Sequence, residues 1–448
     1  MGRACGRLAP RLGPAPDGGR ACGPPESSSW QRRGSSLKPA TESSSTPAAP
    51  RRGAWVPQAL IWVGIALAAV MSGVFLYRAA TGYLLDVGVF RDAGRAFAEG
   101  WGLYGEDFPS RSGFAFLYPP FAALLFVPLT WVGETAMQVL WTIATIAAIY
   151  AILAMAATRL GARRPAFIAA GLSGPALAIE PIVSHMFFGQ INVFLMLLVA
   201  VDVLGFTPHR LRGVGIGVAA GIKITPAAYA IVYLVRRDWG GVWRSAGAFF
   251  VTALIGAATA PEQAWRFWTE EFFILDRAGG PGFPPNQAIT GPLTRAGMDP
   301  DLAAAIMGPG LIVFALLAMW AAYRLLAAGR RVETMLVTVL AVSLSAPVAV
   351  THHWAGIIVA FPLLFLARDT IVRVAAGIVG IVNLVPFYEV YDDEQAEFAF
   401  QPLQWLVGNL QSFAGLAAFV LLLVAARRAA APPLREFFSS PAPTPAEK

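Results

Sequence analysis

Asp86 is the acidic residue whose position best suits acid–base chemistry. It comes just past the first long apolar run and opens a segment that closes with Tyr-Pro-Pro-Phe at 118–121, which turns the chain back towards apolar surroundings. A carboxylate at this point lies at the level of lipid headgroups, and one within hydrogen-bond reach of a hydroxyl can act as its general base. Several acids lie nearby in the sequence, so a solvated interfacial carboxylate is the alternative interpretation.

Lys223 is the most unusual cation of the sequence. The other two lysines, Lys38 and Lys448, lie towards the ends of the chain, and arginine supplies the positive charge elsewhere. A lysine inside the apolar stretch AAGIKITPAA costs roughly 2.5–3.5 kcal/mol on insertion scales, and such residues usually face a cavity or a partner. This pattern favours a partner for a lipid phosphate. The alternative is a side chain that extends to the membrane interface.

His352 and His353 lie side by side in the sequence VAVTHHW, between two apolar stretches. Adjacent residues of a helix point about 100° apart, so the two imidazoles are poorly placed to bind one metal ion. A hydrogen bond or a positive charge directed at a phosphate is the better prediction. An interfacial role beside the tryptophan is the alternative.

Amide side chains occur in two further places. Gln190 and Asn192 lie in the apolar turn FFGQIN and suit sugar hydroxyls, although asparagine also caps helices. The loop PPNQAITGPLTR offers Asn286, Gln287 and Arg295 to a polar ligand, and loops carry function disproportionately. Such a composition is also simply typical of loops.

Two more acids, Glu180 and Asp202, lie near the ends of apolar stretches. For both, solvation at a helix end is a better prediction than chemistry. Neither a Walker loop nor a soluble nucleotide-binding motif is present, which favours a lipid-linked sugar donor over a nucleotide-linked one. The residues identify no cofactor and leave the need for a divalent cation open.

The composition of the chain predicts an all-α polytopic membrane protein. Of 448 residues, 56% are hydrophobic and only 14% are charged, and the mean hydropathy is +0.58. A soluble domain is about half apolar and a quarter charged. The net charge of +7 belongs mostly to residues 1–53, which hold nine Arg and Lys against three Asp and Glu. It therefore implies neither nucleic-acid binding nor an acidic substrate.

The two ends of the chain differ in composition from the middle. Residues 1–53 are rich in Gly, Pro, Ser and Arg, which predicts a disordered basic tail on the cytoplasmic side. Residues 431–448 form a second tail of this kind, and residues 54–430 form the membrane domain. Both cysteines, Cys5 and Cys22, lie in the first tail, so the membrane domain has no disulfide or Cys-based metal site.

A membrane-spanning helix needs roughly 20 apolar residues, and ten stretches are clear candidates. They are Pro57 to Tyr77, Glu134 to Ala157, Pro165 to Ile182, Ile191 to Phe206, Val242 to Ala260, Leu302 to Leu325, Glu333 to Val350, Trp354 to Leu366, Ile371 to Phe387 and Trp405 to Ala426. Two further stretches, Pro119 to Val132 and Gly213 to Val235, are interrupted by proline. The total is about 10 to 12 passes.

Charge bias favours one topology. All the basic clusters between the apolar stretches lie in the cytoplasm if Pro119 to Val132 lies along the outer interface and Gly213 to Val235 is a pair of short half-spanning helices. Asp86, Lys223 and the histidine pair then all face the outer side. If both stretches are ordinary spans instead, two basic clusters lie outside.

Seven short motifs, in order, resemble those of a known family. They are Asp-x-x-Val-Phe at Asp86, Leu-Tyr at Leu103, Tyr-Pro-Pro-Phe-Ala-Ala at Tyr118, Gly-Gln-Ile-Asn at Gly189, Gly-Ile-Lys-Ile-Thr-Pro at Gly221, Asn-Gln-Ala-Ile-x-Gly at Asn286 and His-His-Trp at His352. Together they resemble the actinobacterial polyprenol-phosphate-mannose-dependent α-mannosyltransferases of the GT-C type. Any one motif is weak, but seven in order are specific.

This resemblance implies a GT-C fold with amphipathic helices in its first outer loop, and a multi-pass enzyme of the plasma membrane whose active site faces the outer side. The donor would be polyprenyl-phosphate-mannose, and the acceptor a glycolipid or lipoglycan of the cell envelope, such as a phosphatidylinositol mannoside or a lipomannan. Transfer would be inverting, with an α-(1→2) linkage.

The residues themselves and the resemblance together predict roles for ten residues. Asp86 would be the catalytic acid or base. Lys223, His352, His353 and Arg295 would bind the donor phosphate, and Tyr118, Gln190, Asn192, Asn286 and Gln287 would bind substrate. The rival hypotheses are a lipid or solute transporter, a non-catalytic partner in an envelope complex, and a transferase that uses another polyprenyl-phosphate sugar.

Overall fold

The computed structural model describes residues 56–274, 279–391 and 401–430. The two predicted tails, 1–53 and 431–448, lie outside the described residues. Within the described part the chain is α-helical and contains no β-strand, only an isolated bridge between Asn286 and Val350. The prediction of an all-α fold is confirmed.

Eighteen α-helices are present in the described residues. They are α1 (Gln58–Thr81), α2 (Leu85–Glu99), α3 (Pro120–Phe126), α4 (Glu134–Arg159), α5 (Pro165–Ala178), α6 (Glu180–Phe188), α7 (Asn192–Val203), α8 (Val214–Ile222), α9 (Ile231–Leu234), α10 (Trp239–Thr259), α11 (Pro261–Thr269), α12 (Thr290–Arg295), α13 (Pro300–Ala327), α14 (Arg331–Ser345), α15 (Ala360–Leu366), α16 (Thr370–Val382), α17 (Pro402–Gly408) and α18 (Leu410–Arg428). Among the shorter 3₁₀ segments, Val127–Trp131, Thr225–Ala230 and Thr351–Val359 bear on the site.

Five of these helices, α1, α4, α10, α13 and α18, are long and apolar enough to cross a bilayer. Most apolar side chains of α1 and α13 are exposed, as expected for surfaces that face lipid. The pair α5 and α6 makes a sixth candidate, although it bends by 79°. The remainder of the 10 to 12 predicted passes would have to be supplied by shorter apolar helices such as α7 and α16. The chain is a multi-pass membrane protein.

The predicted span Pro165 to Ile182 is not one straight helix. α5 ends at Ala178, Ile179 is extended with φ −74° and ψ 145°, and α6 begins at Glu180 with Pro181 in its first turn. Proline has no backbone N–H for the carbonyl four residues earlier and clashes with it, so it interrupts a helix interior, but it is tolerated in the first turn of a helix. The sequence therefore ends one helix and begins another, and α6 leads away at a steep angle towards Gln190.

The predicted pair of short helices at Gly213 to Val235 is present. α8 ends at Ile222, and Lys223 has the extended conformation, with φ −146° and ψ 126°. The chain resumes as the 3₁₀ segment Thr225–Ala230, which has Pro226 in its first turn, and continues into α9. Lys223 lies at this break, directly after the apolar helix α8, and is partly buried.

The segment between α1 and α4, predicted as the first outer loop, folds over a second apolar core. α2 is amphipathic: Val87, Phe90 and Ala93, spaced three apart, are buried on one face. Phe90 stacks on Phe126 of α3, with 4.6 Å between ring centroids. Arg91 donates to the carbonyl of Leu129 and so ties α2 to the 3₁₀ segment. The predicted amphipathic helix of this loop is thus a fixed part of the fold.

Candidate functional site

The position of Asp86 is set by the turn between α1 and α2. The buried amide of Gln138, on α4, accepts a hydrogen bond from the N–H of Leu84 and donates to the carbonyls of Ala79 and Gly82. These three bonds satisfy backbone groups at the end of α1 and the start of α2, where no intrahelical partner is available. Asp86 therefore projects from the first turn of a helix whose start is held by another helix.

The carboxylate of Asp86 is partly exposed and has one side-chain partner. Gln190 Nε2 donates to Asp86 Oδ2 at 2.8 Å. Asp86 lies outside the membrane-spanning segments. Burial raises the pKa of this carboxyl from 3.8 to about 6, and the Gln190 hydrogen bond and the charge of Lys223 act in the opposite direction. A carboxylate with this pKa is ionised at neutral pH and can be reprotonated readily, as a general base requires.

Gly189 explains how Gln190 comes to face Asp86. It ends α6 in the left-handed conformation, with φ 71°, which glycine adopts without steric cost. A Cβ at this position would also come within 2.8 Å of Val87 Cγ1 on α2. Glycine thus ends the helix and permits close contact with the residue that follows Asp86.

Lys223 joins the amides to the histidine pair. Its Nζ donates to Asn192 Oδ1 at 3.0 Å and lies 3.2 Å from His353 Nε2. Because a charged ammonium has no acceptor lone pair, His353 accepts in this contact through a neutral Nε2. Asn192 Nδ2 lies 3.5 Å from Gln190 Oε1, which extends the chain of polar contacts to Asp86.

His352 has different partners from His353. Its Nδ1 lies 3.4 Å from Ser184 Oγ on α6, and its backbone carbonyl accepts from Asn192 Nδ2 at 3.2 Å. The rings of His352 and His353 are almost perpendicular, at 87°. The two imidazoles therefore act on different neighbours, and His353 is the one in direct contact with Lys223.

Tyr118 closes the site from the segment between α2 and α3. Its ring centroid lies 5.6 Å from Lys223 Nζ, within the range of a cation–π contact. Its backbone carbonyl accepts from the hydroxyl of Tyr104 at 2.7 Å. The Leu-Tyr motif at 103–104 thus holds the Tyr-Pro-Pro-Phe turn in place. Tyr118 itself is buried.

The structure brings seven of the ten predicted residues into one set of contacts, here called the Asp86–Lys223 cluster. Its members are Asp86, Tyr118, Gln190, Asn192, Lys223, His352 and His353. They come from α2, the 118–121 turn, the start of α7, the break after α8 and the 3₁₀ segment Thr351–Val359. A carboxylate that can take up a proton and an ammonium that can stabilise an anion thus lie in one set of contacts, with amide side chains between them.

The other three predicted residues lie elsewhere and are occupied by the protein itself. Asn286 donates to Pro281 and Thr290 and accepts from the N–H groups of Ala288 and Ala349. Gln287 donates to Pro284 and Gly408 and accepts from Ser412.

Arg295 is similarly engaged, and only 1% of it is exposed. It donates to the side chain of Asn409 and to the carbonyls of Phe283 and Asn286. In the described residues none of these three side chains forms a hydrogen bond or ion pair with a member of the cluster. Through Ala349, Asn286 holds the segment that leads into the histidine pair.

Several polar residues near the cluster were not identified from the sequence. Ser184 contacts His352, and His185 is fully buried with its Nε2 accepting from the N–H of Val193 at 3.0 Å. Glu180 was interpreted as solvated, but it is buried, with Oε1 accepting from Thr351 and Tyr388. Thr351 directly precedes the histidine pair. The signal that could have identified Glu180 and Ser184 is their spacing of four residues, which places both on one face of α6.

Asp202 is likewise buried rather than solvated, because it accepts from Thr207 and from the N–H groups of Gly213 and Ile216. In the described part of the chain, no group of three or more His, Cys, Asp or Glu residues could hold a metal ion. The Asp-Pro-Asp sequence at 299–301 caps α13, where Asp299 accepts from the N–H groups of Asp301 and Leu302.

Comparison with known proteins identifies a family and several relatives of this chain. Residues 116–351 match the model of glycosyltransferase family 87. A polyprenol-phosphate-mannose-dependent alpha-(1-2)-phosphatidylinositol mannoside mannosyltransferase from Mycobacterium tuberculosis is 30% identical over 75% of this chain and 82% of its own length. A polyprenol-phosphate-mannose-dependent alpha-(1-2)-phosphatidylinositol pentamannoside mannosyltransferase from the same species is 30% identical over 85% of this chain and 90% of its own.

Among solved structures, the crystal structure of ArnT from Cupriavidus metallidurans bound to undecaprenyl phosphate matches 83% of this chain and 77% of its own at 17% identity, with a TM-score of 0.36. That likeness is weak, and the family relationship rests on sequence. Because the family model covers more than half of the chain and the relatives match most of its length at 30% identity, this membrane protein belongs to glycosyltransferase family 87.

Proposed function

We propose that this chain transfers mannose from polyprenyl-phosphate-mannose to a glycolipid or lipoglycan acceptor of the cell envelope. The observation that carries this proposal is the chain of contacts from Asp86 through Gln190 and Asn192 to Lys223 and His353. It holds a general base and a cation for phosphate in one site. The names of the mycobacterial relatives supply the donor and the acceptor class.

In the proposed reaction, Asp86 takes the proton of an acceptor hydroxyl. The hydroxyl oxygen attacks the anomeric carbon of mannosyl phosphate from the face opposite the phosphate. The bond between that carbon and the phosphate oxygen breaks, and polyprenyl phosphate leaves with the bonding electron pair. A β-linked donor therefore gives an α-linked product. The proton resides on Asp86 and returns to solvent.

Lys223 and His353 are suited to the negative charge that grows on the departing phosphate. Lysine binds phosphate as a point charge, and preorganised donors in a water-poor site are usually the largest contribution to catalysis. Asn192 keeps the ammonium in position with a 3.0 Å hydrogen bond. Gln190 positions the carboxylate and leaves its second oxygen for the acceptor.

The distribution of arginine supports an outward-facing site. α7 begins in the cluster at Asn192 and ends at Val203, whose carbonyl accepts from Arg331. α4 begins near Asp86 and ends at Arg159, which donates to the carbonyl of Gly205. The arginines therefore lie at the end of these helices opposite to the cluster. Positive loops are cytoplasmic, so the cluster faces the outer side, where the lipid-linked donor would be bound.

The proposed linkage is α-(1→2), and a phosphatidylinositol mannoside is the proposed acceptor class. The first test uses purified protein with polyprenyl-phosphate-[¹⁴C]mannose and an actinobacterial glycolipid extract, with the Asp86→Asn variant run in parallel. We expect label in a glycolipid only with the parent chain, and methylation analysis of the product would give the linkage.

The same preparation, reconstituted in vesicles, separates the transferase from a transporter. Movement of intact donor across the bilayer without transfer would overturn the proposal in favour of transport. Transfer from a different polyprenyl-phosphate sugar, but not from the mannose donor, would keep the reaction type and replace the donor.

A further inference from the structure

Four arginines come together at the end of the bundle that lies opposite to the Asp86–Lys223 cluster. Here called the arginine cluster, they are Arg159, Arg212, Arg236 and Arg331. They come from four separate elements: the end of α4, the turn after α7, the turn after α9 and the start of α14. The positive charges of the first three all act on Arg331. Such convergence is costly unless negative charge is close by.

Two of the four contact the same turn. Arg159 Nη2 donates to the carbonyl of Gly205 at 2.6 Å, and Arg331 Nη1 donates to the carbonyl of Val203 at 3.3 Å. Gly205 has φ 76°, and a Cβ there would collide with the Arg331 guanidinium. The turn after α7 is thus shaped to hold two guanidinium groups side by side.

Among the described residues, no carboxylate lies within ion-pair distance of these four arginines. In the described residues, none of the four arginines forms an ion pair with Asp or Glu. Asp202 lies close in sequence to the turn, but its oxygens are taken by Thr207, Gly213 and Ile216. Asp238 lies 3.9 Å from Arg244, and its charge also acts on Arg236 without forming an ion pair with it.

Arg330, which directly precedes Arg331, does form ion pairs. It pairs with Glu333 at 3.0 Å and with Asp369 at 3.1 Å. Arg331, one residue later, has a backbone carbonyl and three arginines around it. Among the described residues, one of two adjacent arginines therefore pairs with carboxylates and the other does not.

The remaining two arginines have donors without acceptors. Arg212 Nη1 is buried and has no hydrogen-bond partner in the described part of the chain. The side chain of Arg236 makes no hydrogen bond or ion pair with any described residue, and the charge of Arg212 repels it while that of Asp238 attracts it. An unsatisfied buried guanidinium donor costs free energy, and a bound anion would remove that cost.

Apolar and aromatic side chains surround the arginine cluster. Leu211, Leu234, Trp239 and Trp243 are all exposed, the last to 72%. The ring of Phe206 lies 4.3 Å beneath the guanidinium of Arg159. Exposed tryptophans beside arginines are typical of the interface between lipid and water. A bound anion would thus lie at the level of the lipid headgroups.

From these observations we infer that the arginine cluster is a binding site for a phosphate group at the cytoplasmic interface, separate from the site of sugar transfer. Guanidinium groups bind phosphate through paired N–H donors, which a single oxygen acceptor of the backbone does not satisfy. The phosphate belongs either to an anionic lipid headgroup or to a soluble anion. The surrounding tryptophans fit the lipid.

The test measures the melting temperature of the purified full-length chain in neutral detergent. Phosphatidylglycerol is added in one series, phosphatidylcholine with the same acyl chains in a second, and inorganic phosphate against chloride at equal ionic strength in a third. Parent, Arg212→Gln, Arg331→Gln and Arg330→Gln are compared. Arg330→Gln is the matched control, because it removes an adjacent arginine that the chain already neutralises.

We expect phosphatidylglycerol to raise the melting temperature of the parent and of Arg330→Gln, with phosphatidylcholine giving no such rise. In Arg212→Gln and Arg331→Gln the apparent affinity should fall about tenfold. The readout is the shift on addition of lipid, so a lower starting melting temperature in any variant does not affect it. If a Gln variant fails to fold, Arg331→Lys, which keeps the charge and loses the fork, should give an intermediate loss.

The third series identifies the source of the phosphate. A shift with inorganic phosphate alone that is lost in Arg331→Gln would assign the site to a soluble anion, and a shift with lipid alone would assign it to a headgroup. No difference between the two lipids and no phosphate effect would overturn the inference. A full shift in both Gln variants would overturn it as well.

Discussion

The Asp86–Lys223 cluster and the segment from Asn286 to Arg295 are both rich in polar side chains, yet they use them in opposite ways. In the cluster, Asp86 has one side-chain partner and is partly exposed. In the segment, Asn286 and Arg295 are both buried. Their side chains form hydrogen bonds mainly with backbone carbonyls and N–H groups of the protein itself. One region keeps polar capacity for a ligand, and the other uses it to hold the chain.

The difference teaches that polarity alone does not mark a site. A loop must satisfy its backbone groups when it is buried, and amide side chains do so well because each has donors and acceptors. A carboxylate and an ammonium connected by two amides do not satisfy backbone in this way. Substitutions in the two regions should therefore fail differently, in turnover for the cluster and in stability for the segment.

The largest effect is expected for Asp86→Asn. This change keeps the shape of the side chain and removes the base, so turnover should fall by about 10²- to 10⁴-fold, with little change in the binding of donor. The measurement is the initial rate of mannose transfer at saturating donor.

Asp92→Asn is the matched control on the same helix. Asp92 is more buried than Asp86, and it accepts from the N–H and the guanidinium of Arg111. It should lower the melting temperature and leave the turnover of the folded fraction within about twofold, since a structural hydrogen bond is worth about 1–3 kcal/mol of stability. A parent-like rate for Asp86→Asn would remove Asp86 from the mechanism.

Lys223→Ala should have the next largest effect. It removes the cation proposed for the departing phosphate, together with its hydrogen bonds to Asn192 and His353. Turnover should fall by roughly 10²- to 10³-fold and the KM for donor should rise. Lys223→Arg, which keeps the charge, should recover part of the donor affinity. Unchanged donor affinity and turnover in Lys223→Ala would contradict a phosphate role.

The sequence identified the Asp86–Lys223 cluster because its members stand against an apolar background. Lys223 and Gln190 are costly in such surroundings, so their presence was informative. The short helices around Lys223 were equally predictable, since Pro226 and the lysine itself interrupt the apolar stretch. The resemblance supplied the order of the motifs, and the predicted all-α membrane fold agrees with the observed architecture.

The sequence could not separate Arg295 from the cluster, because internal satisfaction of a loop depends on partners far along the chain. Arg295 is bound by Asn409, 114 residues away. Gln138 was missed for the same reason: it contacts Leu84 across 54 residues, and one amide inside an apolar helix gives no periodic signal. The bend between α5 and α6 was missed although Pro181 was visible, because the hydropathy of the stretch is continuous.

The pH dependence of transfer should follow the ionisation of Asp86. Its pKa is raised to about 6, and the reaction requires the ionised form. Turnover should therefore be constant above pH 7 and fall as the pH is lowered through 6, to about one tenth of the plateau at pH 5. The rate profile of the parent at saturating substrates measures this. A flat profile between pH 5 and 8 would show that no group of this pKa controls the chemical step.

The smallest effect on turnover is expected for Arg295→Gln, and it bears most directly on the difference between the two regions. The change removes the donors that hold Phe283, Asn286 and Asn409, so each buried acceptor left unpaired should cost about 1–3 kcal/mol of stability. The melting temperature should fall, while the turnover of the folded fraction stays within about twofold of the parent.

Arg295→Lys decides between a structural and an electrostatic role. If Arg295 acts through its fork of donors, lysine keeps the charge but cannot replace the three-way contact, so stability stays low and turnover stays near that of the parent. If Arg295 instead acts by its charge on the donor phosphate, Arg295→Gln loses turnover as Lys223→Ala does, and lysine restores it. That second pattern would erase the distinction between the two regions and return Arg295 to the transfer site.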